Sequence, residues 1–374
     1  MKRWLGVAVW IVLLGACDEL LMHEMLSYAL DESRITASQA IQVVAKQDPE
    51  ALLVEVELEF GERFFFEVRV VSGQAEVVLR VDAITGDIVP EEAAQAAFPI
   101  DLYQAAKTLN SASMTLARAI QIAESHVQGG RTIGARVEDE EGAAKISVGV
   151  LTDDGGKVLE IDSAGNIVVA EEWQRDGQAW IFERDELGKE PGWTLGFTAP
   201  EGGNAIWTVE GGGEAPFPKV LALKASSDSR VFNVAMAEGT SFKDVSVETS
   251  LRADGGEVDQ GGGVTWRCKD LSNYYICRIN PLEDNFRVYK VIDGKRTQLA
   301  TADFNTEPGK WYQVNATMVA DKIECFVDGK KLLEATDSTL ASAGMVGLWT
   351  KADASTSFDN MTAREVKPEA ASDS

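Results

Sequence analysis

Two spacings of hydrophobic residues follow one another in the first half of the chain. Between residues 36 and 45, apolar side chains such as Ile41 and Val44 recur at helical spacing, and Thr36 with Gln39 fits the capping box of a first turn. Apolar side chains then recur at alternate positions, which predicts strands. These extended runs cover residues 52–60, 63–71 and 74–81. The segment therefore predicts a helix followed by an antiparallel meander.

The same pattern returns one module length later. TASQAIQVVA from Thr36 is matched by TLARAIQIAE from Thr115, and the turn DAITGDIV from Asp82 is matched by DSAGNIV from Asp162. In each turn the aspartate can cap the backbone, and glycine supplies the positive φ of the reversal. The offsets are 79 and 80 residues, which indicates a duplication.

The helix, the meander and the closing D-x-x-T-G-x-I resemble the PepSY domain, over residues 35–90 and again over 114–170, where the turn lacks one residue and the threonine. The resemblance implies a cell-envelope location and a role in protein interaction or peptidase inhibition, without a catalytic residue. Glu55, Glu57 and Glu59 have the spacing of acids in a glycosidase strand. Their alternation with apolar residues favours a solvated strand face instead.

The pattern changes in the carboxy-terminal half. Short β-rich runs recur between glycine, aspartate and asparagine turns, without a strong helical segment, which predicts a jelly-roll β-sandwich over residues 193–367. The charged stretch 171–192 is expected to be a linker or a leading edge strand, and residues 368–374 are expected to be a disordered tail. The fold class is therefore multidomain, with two small α+β domains followed by an all-β sandwich.

Four segments of this half resemble concanavalin A-like (laminin-G-like) sandwiches, in the branch of the 3-keto-disaccharide hydrolase-like domains. They are GVTWRCKDLSNYYICR at 263–278, WYQV at 311–314, FVDGK at 326–330 and GMVGLWTK at 344–351. The resemblance implies the fold. Because such sandwiches include lectins, adhesion modules and hydrolases, it does not fix an activity.

A polar face with aromatic residues is the expected ligand site of the sandwich. Aromatic rings can stack on sugar faces, while asparagine, arginine and acidic side chains hydrogen-bond hydroxyl groups. The candidates are Arg267, Lys269, Asn273, Tyr275, Arg278, Asn280, Arg287, Trp349 and Lys351. The alternative is a sandwich whose exposed alternate positions are merely polar, with Trp266, Trp311 and Trp349 in its core.

Catalytic and metal-binding groups are sparse in this half. It contains no histidine, which excludes a Ser-His-Asp triad, and a carboxylate enzyme would depend on Glu283, Asp284 or Asp353. No cofactor is predicted. Asp328 and Asp359 are candidate ligands of a structural calcium ion, or else solvated turn acids. Cys268 and Cys277 form either a disulfide, which leaves Cys325 unpaired, or buried thiols.

The net charge limits the partners. Sixty acidic residues against 35 basic ones give −25, the wrong sign for a protein that grips phosphate backbones. We therefore expect no nucleic-acid partner. A saccharide, an envelope protein or peptidase, and a membrane remain as partners.

The amino terminus predicts the compartment. Lys2 and Arg3 precede the apolar run 4–14, which is too short to be a permanent span, and LGAC resembles a bacterial lipobox ending at Cys17. The resemblance implies removal of residues 1–16, a lipid on Cys17 (diacylglycerol with fatty acids such as palmitate), and membrane anchoring on the extracytoplasmic or periplasmic face. An ordinary secretory signal is the alternative.

Three functions are compatible with these features. The first is a non-enzymatic envelope lipoprotein with a carbohydrate- or ligand-binding sandwich and PepSY-type interaction modules. The second is a carboxylate-dependent glycoside hydrolase or lyase acting on sugars or keto-sugars. The third is a regulator or inhibitor of a secreted peptidase.

Overall fold

A computed structural model of the chain describes residues 18–72, 75–89, 96–97, 99–199, 202–213 and 217–367. The chain divides into two compact units between Arg175 and Asp176. The predicted signal peptide with Cys17 and the predicted tail 368–374 lie outside the described residues. Among the described helices, none combines the length and apolar character needed to cross a bilayer.

The first unit contains four helices and nine strands in its described part. The helices are α1 (Glu19–Glu32), α2 (Ala37–Gln47), α3 (Ile100–Ser111) and α4 (Leu116–His126). The strands are β1 (Leu52–Phe60), β2 (Phe64–Ser72), β3 (Ala75–Asp82), β4 (Ile88–Val89), β5 (Ala96–Ala97), β6 (Arg131–Glu140), β7 (Ala143–Thr152), β8 (Gly155–Asp162) and β9 (Ile167–Gln174). Helices α1 and α3 were not predicted from the sequence pattern.

Local signals of the repeat are present in both copies. Thr36 and Gln39 form the predicted capping box of α2, and the Thr115 hydroxyl caps α4. Asp82 accepts the amide hydrogens of Ile84 and Thr85 at the first closing turn. At the second closing turn, Asp162 likewise accepts backbone amide hydrogens of its own turn. Helix α2 with β1–β4 and helix α4 with β6–β9 thus have the same element order.

The two repeats share one antiparallel sheet. Its order is β4-β3-β2-β1-β6-β7-β8-β9, with β5 pairing β3, so the first strands of the repeats meet at its centre. There Glu55 pairs with Arg136 and Glu57 with Gly134. The predicted solvated face of β1 is therefore corrected. Glu57 is 9% exposed because its strand is flanked on both sides.

The second unit is an all-β sandwich, as predicted. Its first strands are β10 (Gly177–Trp180), β11 (Thr194–Phe197), β12 (Ala205–Gly211), β13 (Lys219–Ala225), β14 (Phe232–Met236), β15 (Val245–Gly255), β16 (Gly262–Asp270) and β17 (Asn273–Asn280). The remainder are β18 (Asn285–Ile292), β19 (Lys295–Asp303), β20 (Trp311–Val319), β21 (Lys322–Val327), β22 (Lys330–Thr336), β23 (Met345–Lys351) and β24 (Ser355–Glu365).

Two antiparallel sheets face each other in this unit. One has the order β12-β13-β24-β15-β20-β21-β22, with β10 on β24, and the other has the order β11-β14-β23-β16-β17-β18-β19. Of the two expectations for residues 171–192, the structure agrees with the leading strand: β9 extends to Gln174, and β10 pairs with β24.

The seven-stranded sheet carries apolar side chains on both faces. Its inner face packs into the core with residues such as Trp266, Tyr275 and Phe286. Its outer face carries a second cluster that includes Phe232, Tyr274, Ile276, Tyr289 and Trp349. Trp266 is therefore a core residue, whereas Trp349 is buried on the opposite face.

The cysteines follow the same division. Cys268 belongs to the outer cluster, whereas Cys277 and Cys325 belong to the inner core, and all three are free and buried. A Cys268–Cys277 disulfide is excluded because the two side chains lie on opposite faces of the sheet.

Candidate functional site

Polar side chains continue the outer apolar cluster toward one end of the seven-stranded sheet. Alternation along β17 places Arg278 on the same face as Tyr274 and Ile276. One row of cross-strand partners runs from Trp349 through Gly263 and Arg278 to Arg287 and Thr301. A Cβ on Gly263 would lie 1.9 Å from the Cys277 carbonyl oxygen, so this position requires glycine. The row therefore has no side chain between Trp349 and Arg278.

Arg278 is the centre of a buried network. Its Nη1 donates to Asn285 Oδ1 at 2.8 Å, and its Nη2 donates to Glu283 Oε2 at 3.1 Å and to the Tyr289 hydroxyl at 3.2 Å. Only 1% of Arg278 is exposed, and its Nε has no hydrogen-bond partner among the described residues. The guanidinium is therefore held in one orientation.

Glu283 links this buried network to the solvent. Its Oε2 also accepts a hydrogen bond from Arg287 Nη1 at 2.8 Å, and 42% of its side chain is exposed. Burial opposes its ionisation, but hydrogen bonds from Asn285 and Arg278 and the charges of Arg278 and Arg287 outweigh burial and lower the pKa of Glu283 to about 2. The carboxylate therefore stays ionised at every physiological pH.

Arg296 covers the aromatic part of the outer face. Its guanidinium carbon lies 4.4 Å from the ring centre of Tyr289, 5.0 Å from that of Phe232 and 5.8 Å from that of Trp349. Burial and the nearby charge of Arg278 lower its pKa below the usual value. The cation occupies the ring faces, and Trp349 is only 1% exposed. The stacking of a sugar on Trp349, which the sequence suggested, is not available in this arrangement.

A second polar group adjoins the first. Asp259 accepts hydrogen bonds from Asn280 Nδ2 at 3.0 Å and from Lys351 Nζ at 2.7 Å. Its loop is fixed by Asp353, whose carboxylate accepts the amide hydrogens of residues 257–259. We call the combined set the outer-face cluster. It comprises Asp259, Arg278, Asn280, Glu283, Asn285, Arg287, Tyr289, Arg296, Trp349 and Lys351.

Four of the predicted ligand-binding residues lie elsewhere. Arg267 is fully buried at a β-bulge with φ +47° and donates to the carbonyl oxygens of Lys243, Leu340 and Ala320. The bulge interrupts the alternation of side chains along β16, and Lys269, two residues later, is exposed.

The other two predicted ligand-binding residues, Tyr275 and Asn273, make contacts that stabilise the fold. Tyr275 faces the inner core, where it stacks on Trp266, and its hydroxyl donates to Asp337. Asn273 ties a turn together through Asp270 and the amide of Asp293. Neither side chain reaches the outer-face cluster.

The predicted acids serve different roles. Glu283 joins the outer-face cluster as an ionised acceptor, and Asp353 caps a loop, where backbone hydrogen bonds lower its pKa despite partial burial. Asp284 lies in an exposed turn with φ +47°. The three acids therefore lie in three different local settings.

The two candidate calcium ligands lie in different elements, a hairpin turn and strand β24. Asp328 accepts the Gln313 amide hydrogen at a hairpin. Asp359 is buried on β24, where burial and the charge of Glu183 raise its pKa to about 8. Within the described part of the chain, no three His, Cys, Asp or Glu side chains are grouped to hold a metal ion.

Sequence reasoning missed four members of the outer-face cluster. Asn285, Arg287 and Tyr289 lie at every second position of β18 and therefore on one face of the strand. The period of the strand could have identified Asn285 and Tyr289 once Arg287 was a candidate. Asp259 and Arg296 come from a distant loop and the neighbouring strand. No local signal marks those two residues.

The fold and this cluster define a class: a jelly-roll β-sandwich with a charged, hydrogen-bonded site on the outer face of one sheet. The model of the 3-keto-alpha-glucoside-1,2-lyase-like domain matches residues 169–364, just over half of the chain. The chain therefore belongs to that family. The model of the peptidase propeptide and YPEB domain, PepSY, matches residues 34–99.

Several solved structures are similar over part of the chain. The carbohydrate-binding module CBM66 from Bacillus subtilis is 22% identical, covers 47% of this chain and 98% of its own, and has a TM-score of 0.37. A Bacillus subtilis protein with a galectin-like fold is 15% identical over 42% of this chain and 89% of its own, at a TM-score of 0.32. The GH43 BlXynB protein from Bacillus licheniformis is 13% identical, covers 83% of this chain and 65% of its own, and has a TM-score of 0.35. These scores are too low to support an argument about this chain. No curated protein matches it.

Proposed function

We propose that the sandwich binds a saccharide at the outer-face cluster without converting it. The accessible groups there are the Glu283 carboxylate, the Arg287 guanidinium and, in part, Arg296 and Lys351. Together they offer hydroxyl groups one strong acceptor and several charged donors. Family membership supports a sugar-like ligand.

The charge of the outer-face cluster limits which saccharides are expected to bind. Arg278, Arg287, Arg296 and Lys351 are opposed only by Asp259 and Glu283 within it. A local excess of cations in a chain of net charge −25 favours a saccharide rich in acceptor oxygens. We expect retention to fall as ionic strength rises.

The single observation that favours binding over catalysis is the state of Glu283. A carboxyl group with a pKa of about 2 is neither a proton donor near neutral pH nor an effective base. The groups that depress its pKa, Arg278, Asn285 and Arg287, are structural parts of the same network.

The test is an oligosaccharide array with the full-length protein. Arg287→Met removes an accessible donor and is expected to weaken binding about tenfold, the loss of one charge-assisted hydrogen bond. Lys331→Met removes an exposed lysine on β22, in the other sheet, and is expected to leave binding unchanged. Absence of any retained saccharide, or an equal loss in both variants, contradicts the proposal.

A lyase or hydrolase activity is the second candidate, favoured by the description of the family. Turnover of 3-keto-glucosides by the native protein, abolished by Glu283→Gln, would support it. The binding proposal predicts no turnover and a retained ligand.

The location belongs to the proposal as well. A lipid on Cys17 would hold both units at the extracytoplasmic face of a bacterial membrane, where the PepSY modules serve protein interaction. Intact-mass measurement of the purified native protein is expected to show loss of residues 1–16 and added acyl chains. A Cys17→Ser variant is expected in the soluble fraction, and an unprocessed, lipid-free native protein contradicts anchoring.

A further inference from the structure

A cavity in the first unit has its own chemistry. Its volume is about 160 Å³, and its walls come from α1 and five strands of the nine-stranded sheet. The apolar walls are Met22, Leu26, Leu58, Phe60, Ile133, Leu151, Val158 and Trp173. A dry cavity of about 150 Å³ accommodates a benzene ring, so the body of a ligand here is of that size.

Histidine and carboxylate groups line the same cavity. His23 is 5% exposed, and its Nε2 lies 2.9 Å from the Thr152 carbonyl oxygen. Because a carbonyl oxygen only accepts, Nε2 carries the hydrogen, and in this tautomer Nδ1 has the lone pair. No described residue bonds to this buried Nδ1. An unpaired buried acceptor is costly, and a ligand that donates a hydrogen bond removes the cost.

The carboxylates share the cavity with His23. Burial and the charges of Glu59 and Glu55 raise the pKa of Glu57 to about 7, although Arg136 opposes the shift. Burial and the charge of Glu19 likewise raise the pKa of Glu171. Glu19, Glu57, Glu59 and Glu171 all line the cavity. The polar wall is therefore acidic, and no lysine or arginine is among the described residues that line it.

We propose that this cavity binds a small amphipathic amine, with its apolar body between α1 and the sheet and its ammonium group beside Glu57 and His23. The ammonium donates to the Nδ1 lone pair and to carboxylate oxygens, and its charge relieves the repulsion among the glutamates. An anion is repelled by the same groups, and a neutral apolar molecule leaves them unpaired. Neither the sandwich nor its outer-face cluster takes part.

Benzylamine, benzyl alcohol and benzoate test the proposal because they share one ring and differ in charge. Calorimetric titration of the full-length protein at pH 8 is expected to show benzylamine binding at least about tenfold more tightly than benzyl alcohol, with no saturable binding of benzoate. At pH 5, where Glu57 is protonated, the preference is expected to shrink.

Two isosteric variants locate the site. Glu57→Gln is expected to abolish the preference for benzylamine over benzyl alcohol. Glu172→Gln, on the same strand as Glu171 but paired with Lys157 outside the cavity, is expected to preserve it. Circular dichroism checks that both variants are folded. Equal affinity for benzylamine and benzyl alcohol, no saturable binding of either, or equal effects of the two variants overturns the proposal.

Discussion

Glu57 in the first unit and Glu283 in the second are both glutamates, but their surroundings shift their pKa values in opposite directions. Glu57 is 9% exposed, beside other glutamates, and its pKa rises to about 7. Glu283 is 42% exposed at the side chain and accepts hydrogen bonds from two arginines and an asparagine, so its pKa falls to about 2. Burial raises the pKa in both cases. The partners therefore decide the sign of the net shift.

The comparison also separates two kinds of site. The cavity beside Glu57 leaves an acceptor nitrogen unpaired, Nδ1 of His23, whereas the unpaired buried nitrogens of the outer-face cluster, on Arg278, Arg296 and Trp349, are N–H donors. An acid that ionises near neutral pH suits exchange of a cationic ligand. An acid locked in its ionised form suits fixed recognition of hydroxyl groups.

The largest expected effect comes from removing Arg278. Arg278→Met removes the buried donor that Glu283, Asn285 and the Tyr289 hydroxyl share, and is expected to lower the free energy of unfolding by about 3 kcal/mol. Urea denaturation followed by circular dichroism measures this. The matched variant Arg287→Met removes the other arginine that binds the Glu283 carboxylate. The Arg287 side chain is 30% exposed, so this variant is expected to lower the free energy of unfolding by only about 0.5 kcal/mol. Equal losses would show that Arg278 does not organise the cluster.

Glu57→Gln is expected to stabilise the first unit in alkaline solution. The pKa of Glu57 is about 7 in the folded chain and near 4.5 when unfolded, so native stability falls as pH rises between these values. The variant lacks this decline and is expected to be about 2 kcal/mol more stable at pH 8 and equal at pH 4. Hydrogen exchange of peptides from β1 and β6 reports on this unit alone. A destabilised variant at pH 8 contradicts the assignment.

Glu283→Gln is expected to act with the opposite sign and a smaller size. The pKa of Glu283 is lowered to about 2, so the ionised carboxylate stabilises the sandwich above pH 4.5, and this stability is lost as pH falls toward 2. Since the side chain is 42% exposed, water screens the pair and the loss at pH 7 is expected to be less than about 1 kcal/mol. Unfolding curves of both proteins at pH 7 and pH 2.5 measure it. A loss that persists at pH 2.5 would show that charge is not the cause.

Local pattern was sufficient for the repeated elements of the first unit and for the all-β sandwich, but it missed helices α1 and α3. Thr36 and Gln39 gave the start of α2, the DxxTG turn gave the close of the first meander, and the short β-rich runs gave the sandwich. It failed at Arg267, where a bulge shifts the alternation by one position. At residues 171–192 it left a linker and a leading strand open, and the pairing of β10 with β24 decides for the strand.

The sequence by itself determined which residues could form strands and helices, and it predicted a duplication in the first region. These properties follow from the spacing of side chains along a regular backbone. Only the tertiary structure decided that Glu57 is buried at a junction of strands, that Trp349 lies beneath Arg296, and that Glu283 meets two arginines. Burial and charge proximity depend on contacts between segments distant in sequence, which periodicity does not encode.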